Sequence, residues 1–182
     1  MELVFPYAHN VQVHWQPASE VQINNATLRH WLLDTGSLTE RLQEQCDALT
    51  VNRLGQGAAP LYANEQRWLP QHSVHSWQVR EVLLCADTTP WVFARSVLPQ
   101  SLVDGELANL GNEPLGKRLF NDARFVRSDF ELCQVPAQAF CFDGKASPKA
   151  HLWGRRSRFH LHNDYIIVAE IFLTASPAYQ GN

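Results

Sequence analysis

The fold is constrained most by residues 151–173, which read HLWGRRSRFHLHNDYIIVAEIFL. The turn-forming residues His162, Asn163 and Asp164 divide this stretch into two segments of strand length. The second segment, residues 165–173, is apolar on both faces, because successive side chains of a strand point to opposite sides. The pattern therefore predicts a hairpin whose second strand is buried on both sides.

Glu170 is the one carboxylate within this second segment, on the face that carries Ile166, Val168 and Phe172. A buried charge without a partner costs several kcal/mol or changes its protonation state. Glu170 therefore needs a cation, a hydrogen-bond donor or a ligand. It is the first candidate for a functional residue.

Arg80 raises the same question in the strand predicted for residues 75–86, where it shares a face with Val82 and Leu84. A guanidinium stays charged and must be paired when it is buried. Three interpretations are open. Arg80 and Glu170 form a structural ion pair, or Arg80 reaches a sheet edge and solvent, or both residues face a cavity in which Arg80 binds a carboxylate bidentately.

Composition excludes several classes of function. The length of 182 residues and the hydrophobic fraction of 45% predict one domain over residues 1–182, with residues 1–26 as a weakly patterned lead-in. The formal charge of −3 shows no basic excess, so we expect no nucleic-acid partner. No bilayer-spanning apolar run and no signal peptide are visible, so we expect no membrane insertion and a cytoplasmic location. The four cysteines form no CxxC pair, and no ligand pair has zinc-finger or HExxH spacing, so we expect free thiols and no metal.

Periodicity along the chain predicts two early helices followed mainly by strands. Asn24 or Asn25 caps a first helix that ends at Gly36, and Ser37 begins a second helix that runs to about Cys46. The other predicted elements are strands at 48–54, 75–86, 91–98 and 124–135, a loop at 55–60, a helical turn at 64–68, a hairpin turn at 87–90, a helix at 101–109, a loop and turn from 114, an insert at 136–150 and the closing hairpin. This arrangement indicates an α+β fold with a mostly antiparallel sheet, because a doubly wound parallel sheet needs strands and helices in regular alternation.

Further arginines are ambiguous from the pattern. In the basic run at 155–158, Arg155 and Arg156 point to opposite faces of a strand, and such a run is most often a solvated strand end. Arg95, on the strand that pairs with that of Arg80, is equally open. No GxSxG, Walker or Rossmann glycine motif supports acyl transfer or nucleotide chemistry. From the residues alone, the chain is an α+β protein with a candidate anion-binding pocket.

Four segments of the chain resemble the chorismate lyase family, whose members make 4-hydroxybenzoate for bacterial ubiquinone synthesis. The segments are WLLDTGSLTERL at 31–42, REVLLCADTTPWVFARSVLP at 80–99, LGNEPLGKRLF at 110–120 and, within 152–179, LWGRRSRFHL and AEIFLTASPAY. They keep the family's order and run from the first helix almost to the C-terminus. The lead-in and the insert at 136–150 are not covered.

The resemblance implies a fold and a site. The implied fold is a six-stranded, mostly antiparallel sheet with helices covering an internal ligand cavity. Arg80 and Glu170 are the implied catalytic residues: Arg80 holds the carboxylate of the product, and Glu170 meets its hydroxyl. Backbone groups at Leu38 and Leu115 complete the carboxylate end. Leu38 replaces a methionine at that position of the family, which changes the wall of the pocket.

The implied reaction eliminates pyruvate from chorismate and gives 4-hydroxybenzoate, the first step of ubiquinone biosynthesis. Aromatisation drives the reaction, so the resemblance implies no metal and no cofactor. It also implies that the chain is a monomer and that its only partners are this substrate and this product. Glu170 either acts as a general base or only orients the C4 hydroxyl. The second carboxylate of chorismate needs its own cation, for which Arg95 and Arg155 are the candidates.

Two alternatives have the same fold without the reaction. One is the ligand-sensing domain of GntR-class transcription regulators, but residues 1–26 leave no room for the winged helix that precedes it. The other is a relative of the lyase that binds an aromatic acid without turning chorismate over. Product formation from chorismate separates both from an enzyme.

Overall fold

The structure is a computed structural model and describes residues 13–70, 76–142, 144 and 146–180. Within these residues the backbone forms an antiparallel sheet of eight strands, together with five short α-helices. The strands are β1 (Gln16–Pro17), β2 (Leu49–Ala58), β3 (Trp77–Ala86), β4 (Thr89–Pro99), β5 (Val126–Arg127), β6 (Glu131–Pro136), β7 (His151–Leu161) and β8 (Asp164–Phe172). The α-helices are α1 (Ala26–Leu33), α2 (Leu38–Gln43), α3 (Ala63–Trp68), α4 (Gln100–Asp104) and α5 (Leu115–Phe120), and 3-10 turns lie at Ala18–Glu20, Ala137–Phe140 and Pro177–Tyr179.

The sheet has the strand order β1, β6, β7, β8, β4, β3, β2, and β5 pairs with β7 off this path. Every pairing is antiparallel, so the predicted α+β class with a mostly antiparallel sheet is confirmed. The six strands implied by the resemblance become eight, because the two-residue strands β1 and β5 pair with β6 and β7.

Some predictions fall outside the described part of the chain. They concern residues 1–12 of the lead-in, residue 75 of the strand predicted at 75–86, and residues 143 and 145 of the insert. In the part that is described, no helix combines the length and the apolar content needed to cross a membrane.

The predicted closing hairpin is confirmed as β7 and β8. His162 occupies the turn with a φ of 53°, in the left-handed region that a tight hairpin turn uses. β8 lies between β7 and β4, and Ile166, Ile167 and Phe172 are fully buried although they point to different faces. The apolar run of β8 therefore reflects a central strand that is covered on both sides.

Both faces of the sheet carry a hydrophobic core. On the face of Ile166 and Phe172, side chains of α1, α2, α4 and α5 pack against β3, β4 and β8. On the face of Ile167 and Ile171, the covering groups come from Trp15, the α3 segment and the 3-10 turn at Ala137–Phe140. The sheet thus separates two interior layers. Because side chains alternate along a strand, neighbouring residues enter different layers.

The first two helices begin where the caps predict. The side chain of Asn25 accepts a hydrogen bond from Leu28 N at 2.8 Å, and that of Ser37 accepts one from Glu40 N at 3.3 Å. Between the helices, Asp34 accepts hydrogen bonds from Gly36 N and from Arg41. α2 ends at Gln43, three residues before the predicted end.

The predicted continuous strand at 124–135 is interrupted between β5 and β6. Phe125 packs with Val168, and Phe130 packs with Phe172, on the same face of β8. Residues separated by an odd number of positions point to opposite faces of a regular strand. The chain therefore has to leave the strand between the two phenylalanines in order to bury both.

Two other predicted boundaries differ from the structure. The predicted loop at 55–60 is strand as far as Ala58, because β2 regains its pairing with β3 after an irregularity between Arg53 and Gly55. The predicted helix at 101–109 is only α4, because Gly105 takes the non-helical angles φ −109° and ψ −103°. The helical turn predicted at 64–68 is confirmed as α3.

Gly154 is expected to be essential for the packing of β7 between β6 and β8. A Cβ at this position would collide with the Cδ1 atom of Ile171, and would lie 2.8 Å from Cys133 Sγ and 3.1 Å from the carbonyl oxygen of Glu170. We expect Gly154→Ala to lower the free energy of unfolding by about 1–3 kcal/mol, as overpacking of a core does. Urea denaturation measures this, with Gly116→Ala as the control, since its Cβ has an open position 3.9 Å from Thr39 Oγ1. Equal stability of the Gly154 variant and the wild type would contradict the packing argument.

Candidate active site

A pocket lies on the sheet face of Val168, beneath α2 and α5. Five of the six site residues suggested by the sequence line it, namely Leu38, Arg80, Leu115, Arg155 and Glu170. Apolar groups of β3, β4 and β8 form its floor, and the first turns of α2 and α5 lie at its edge.

Strand register explains why distant charged residues meet in this pocket. Arg80 of β3 pairs with Ser96 of β4, Ala94 of β4 pairs with Glu170 of β8, and Glu170 pairs with Arg155 of β7. Directly paired residues of antiparallel strands share a face. The small side chains of Ala94 and Ser96 lie between the charged residues and leave space for the pocket.

Arg80 is buried, with 2% of its surface exposed, and all its hydrogen-bond partners are neutral. Nη1 donates to Gln56 Oε1 and to the carbonyl oxygen of Gly111, both at 2.9 Å, and Nη2 donates to the carbonyl oxygen of Glu113 at 3.1 Å. No carboxylate of the described residues forms an ion pair with it. Burial lowers the pKa of Arg80, and the nearby charge of Arg53 lowers it further.

A series of side-chain amides extends from Arg80 to the surface. Gln56 Nε2 donates to Gln78 Oε1 at 3.2 Å, Gln78 Nε2 donates to Gln100 Oε1 at 2.9 Å, and Gln100 Nε2 donates to Asp104 Oδ1 at 2.7 Å. Together with the hydrogen bond from Arg80 Nη1 to Gln56 Oε1, these contacts fix the position of the guanidinium.

Glu170 is paired with Arg155 and not with Arg80. Arg155 Nε donates to Glu170 Oε2 at 2.7 Å, and its Nη1 donates to the carbonyl oxygens of Trp31 and Asp34 at 3.1 and 2.8 Å. The interpretation of Arg80 and Glu170 as one structural ion pair is therefore wrong. The interpretation that Arg80 reaches a sheet edge and solvent is also wrong, because Arg80 is buried. Arg155 ties the carboxylate to the end of α1.

The expectation that residues 155–158 form a solvated strand end is also wrong. Arg155 and Arg156 are buried on opposite faces of β7. Arg156 donates to Glu131 Oε2 and to Asn64 Oδ1, and it is stacked over Trp68 at 4.2 Å from the ring centroid. It is therefore held by polar and aromatic contacts on that face.

Arg95 is not brought together with the other five residues. It faces the opposite layer, where Glu65 accepts two hydrogen bonds from it, at 2.7 and 3.0 Å, and Glu81 accepts one at 3.0 Å. Burial opposes its charge, but the hydrogen bonds and the charge of Glu65 raise the pKa of Arg95 overall. Register explains the difference, because an irregularity between Leu84 and Cys85 makes Ser96 the partner of Arg80.

Leu38 and Leu115 are the first residues of α2 and α5, and both are buried. The N–H groups of a first helical turn have no acceptor within the helix. Both backbones therefore present donor groups at the edge of the pocket.

Arg127 lines the same pocket and was not among the residues suggested by the sequence. It belongs to β5, where it pairs with Phe159 of β7. The alternation of charged and apolar residues at 124–135 is typical of a half-exposed strand, and this pattern concealed it. Its position between two aromatic residues, Phe125 and Phe130, indicates a place beside buried side chains but does not define the face on which it lies.

No group of three or more His, Cys, Asp or Glu side chains within the described ranges is arranged to hold a metal ion. The charged groups that line the pocket are three arginines and one glutamate. The arrangement can bind an organic anion and orient a hydroxyl group.

Known proteins similar to the chain identify its family. The family model described as Chorismate lyase matches residues 9–181. The chain is 42% identical over 175 residues to a probable chorismate pyruvate-lyase of Pseudoalteromonas atlantica, with 93% of this chain and 91% of that protein covered. It is 40% identical to a protein of the same description from Shewanella sp. (strain ANA-3), with 96% of this chain and 94% of that protein covered.

Among solved structures, a transcriptional regulator of the GntR family from Enterococcus faecalis aligns with a TM-score of 0.44 and 14% identity, over 69% of this chain and 88% of that chain. That degree of similarity supports no conclusion about function. The family model and the two relatives, in contrast, cover nearly the whole chain, and the chain belongs to the chorismate lyase family.

Proposed function

We propose that this protein is a chorismate pyruvate-lyase, which converts chorismate to 4-hydroxybenzoate and pyruvate, and that the pocket beneath α2 and α5 is its active site. The observation that carries the proposal is the buried Arg80, whose partners among the described residues are all neutral. A buried guanidinium without a counter-ion fits a ligand that brings its own negative charge.

The remaining donors of Arg80 suit a carboxylate. A guanidinium has five N–H donors, and three of those of Arg80 are taken by Gln56, Gly111 and Glu113. The two that remain lie on Nε and Nη2. These atoms form one edge of the guanidinium, and such an edge binds a carboxylate through two parallel hydrogen bonds. Arg80 therefore binds the ring carboxylate of chorismate, with the backbone N–H groups of Leu38 and Leu115 beside it.

Glu170 receives the other end of the ring. Arg80 and Glu170 face the pocket from β3 and β8 with β4 between them, and their partners on β4, Ser96 and Ala94, are two residues apart. Their backbones are therefore about 10 Å apart across the strands and about 7 Å along them, a separation of about 12 Å in the plane of the sheet. A six-membered ring with a carboxylate and a hydroxyl at opposite ends bridges two side chains at this spacing. Glu170 Oε2 is occupied by Arg155, and Oε1 accepts the C4 hydroxyl of the substrate.

The reaction breaks the bond between C3 and the ether oxygen. The electron pair of the C4–H bond completes the aromatic ring, and the enolpyruvyl group leaves as pyruvate after its methylene carbon gains a proton. Aromatisation supplies the driving force. The protein holds the ring at both ends and keeps the ether in a reactive conformation within an internal cavity that excludes water.

The α1–α2 pair is suited to cover this cavity. Arg155 donates to the carbonyl oxygens of Trp31 and Asp34, at the end of α1, and to Glu170 within the pocket. Closure of the two helices and orientation of the carboxylate therefore depend on the same guanidinium. A monomer, implied by the resemblance, and a cytoplasmic location, expected from the sequence, stay predictions, and the elution volume of the purified protein tests the first.

Incubation of the purified protein with chorismate tests the proposal. We expect 4-hydroxybenzoate and pyruvate in equal amounts, the first measured by chromatography and the second by coupling to lactate dehydrogenase. Heat-denatured protein gives the uncatalysed background. Product formation no faster than this background, together with tight binding of 4-hydroxybenzoate, would contradict the enzyme and support the non-catalytic aromatic-acid-binding module.

A further inference from the structure

The charges that line the pocket exceed what the product requires. Arg80, Arg127 and Arg155 contribute three positive charges and Glu170 contributes one negative charge, a net of two positive charges. 4-Hydroxybenzoate carries one carboxylate, whereas chorismate carries two. The pocket is therefore matched in charge to the substrate and has one positive charge in excess when it holds the product.

Arg127 is the source of the excess charge. Its guanidinium lies 4.6 Å from the ring centroid of Phe130 and 5.4 Å from that of Phe120, and it forms no ion pair with any residue that the structure describes. Arg155, in contrast, is neutralised by Glu170 and anchored to two carbonyl oxygens. Arg127 alone of the three lacks both an ion pair and a hydrogen-bond acceptor among the described side chains.

Arg127 is close to the end of the pocket that carries Glu170. Phe130 is shared by two guanidinium groups, because Arg155 also lies 4.6 Å from its ring centroid. Burial lowers the pKa of Arg127, the charge of Arg155 lowers it further, and the charge of Glu170 acts in the opposite direction. These interactions place the Arg127 guanidinium within electrostatic reach of both residues.

We propose that Arg127 binds the enolpyruvyl carboxylate of chorismate, the carboxylate that leaves with pyruvate. The inference rests on the proposed function and deepens it. In chorismate the enolpyruvyl ether is attached at C3, next to the C4 hydroxyl that Glu170 accepts. A group attached at C3 therefore projects from the Glu170 end of the ring, where Arg127 lies.

The half-buried position of Arg127 agrees with this role. β5 is a two-residue strand that pairs with the end of β7, and Val126 beside Arg127 is exposed. The guanidinium is thus at the rim of the pocket, whereas Arg80 is deep within it. The enolpyruvyl group then occupies the side of the pocket nearer to solvent, which is where pyruvate departs.

A variant at this position should separate substrate binding from product binding. We expect Arg127→Gln to raise KM for chorismate by about 10- to 100-fold, the range for loss of one charge-assisted contact. The dissociation constant of 4-hydroxybenzoate should change less than about threefold, because the product has no carboxylate for Arg127 to hold. Arg127→Lys should recover part of the loss in KM, since it restores the charge but not the planar donor edge. Arg124→Gln is the matched control, because Arg124 lies three positions away on the surface with its side chain 53% exposed.

A pair of stable ligands tests the contact without catalysis. The probes are 3-(carboxymethoxy)-4-hydroxybenzoate and the carboxamide of the same shape, which differ only in the second carboxylate. We expect the wild type to prefer the carboxylate by about tenfold or more, and Arg127→Gln to lose this preference, as in a double-mutant cycle. Equal preference in both proteins would overturn the inference. So would an Arg127→Gln variant that weakens 4-hydroxybenzoate and chorismate by the same factor, because that result indicates a structural role. Failure of the wild type to convert chorismate is a different result and contradicts the proposed function itself.

Discussion

Arg80→Met is expected to lower kcat/KM for chorismate by about 100- to 10,000-fold, because it removes a bidentate contact in which each charged hydrogen bond contributes about 1.5–3 kcal/mol. Methionine keeps an unbranched side chain as far as the position of Nε, and with it the apolar packing of the arginine stem, so the loss reports the charge and the donors. The dissociation constant of 4-hydroxybenzoate should rise by a similar factor, because substrate and product share the ring carboxylate. Steady-state kinetics and calorimetric titration with 4-hydroxybenzoate measure the two effects.

Arg53→Met is the control for this variant. Arg53 is exposed on β2, near enough to Arg80 to influence its pKa, but it does not line the pocket. We expect its kinetics to match the wild type within about twofold, since an exposed charge contributes little at this range. If Arg80→Met retained both the kinetics and the product affinity of the wild type, Arg80 would not hold the carboxylate.

Glu170→Ala is expected to lower the free energy of unfolding by about 3 kcal/mol, because it leaves the buried guanidinium of Arg155 without its counter-ion. The exposed fraction of the Arg155 side chain is 3% and that of the Glu170 side chain is 15%, so water compensates little of the loss. Urea denaturation measures the effect. Addition of Arg155→Met to this variant should restore part of the stability, since the unpaired charge is then absent.

A surface pair provides the comparison for this measurement. Glu106 pairs with Arg124 at 2.8 Å, with both side chains largely exposed. We expect Glu106→Ala to leave the free energy of unfolding nearly unchanged, because exposed ion pairs contribute little. Equal losses in the Glu106 and Glu170 variants would show that burial of the Arg155 pair has no energetic consequence.

Glu170→Gln separates the two roles considered for this carboxylate. Arg155 Nε donates to Glu170 Oε2 at 2.7 Å and fixes the position of the carboxylate, so we expect Glu170 mainly to orient the C4 hydroxyl. The glutamine variant keeps an acceptor oxygen and should retain kcat within about tenfold, whereas loss of a general base costs about 100-fold or more. A fall in kcat of that larger size would assign proton transfer to Glu170.

The sequence was sufficient to predict the faces on which Arg80 and Glu170 are buried. Side-chain alternation placed Arg80 with Val82 and Glu170 with Val168, and both pairs face the same pocket. The partner of Glu170 depends on the length of the turn. The three-residue turn predicted at 162–164 pairs position 170 with Arg156 by counting back along both strands, whereas the observed turn has two residues, 162 and 163, and pairs it with Arg155. The sequence alone therefore did not distinguish between two neighbouring arginines.

Irregularities in the strands explain what the sequence could not show. Counting from the turn of the β3–β4 hairpin pairs Arg80 with Arg95, but the irregularity between Leu84 and Cys85 shifts the pairing by one residue and turns Arg95 to the other face. Arg127 was missed for a related reason. β5 has two residues and pairs with a strand far along the chain, so neither periodicity nor a turn defines its register.

The three side-chain amides that connect Arg80 to Asp104 can be oriented in only one way. Arg80 only donates hydrogen bonds and Asp104 only accepts them, so the side chains of Gln56, Gln78 and Gln100 between them must each direct the carbonyl oxygen toward Arg80. The dipoles of the three amides are thereby aligned, with their negative ends toward the cation. This alignment replaces the solvation that the guanidinium loses on burial but does not neutralise its charge, so the attraction of Arg80 for an incoming anion is preserved.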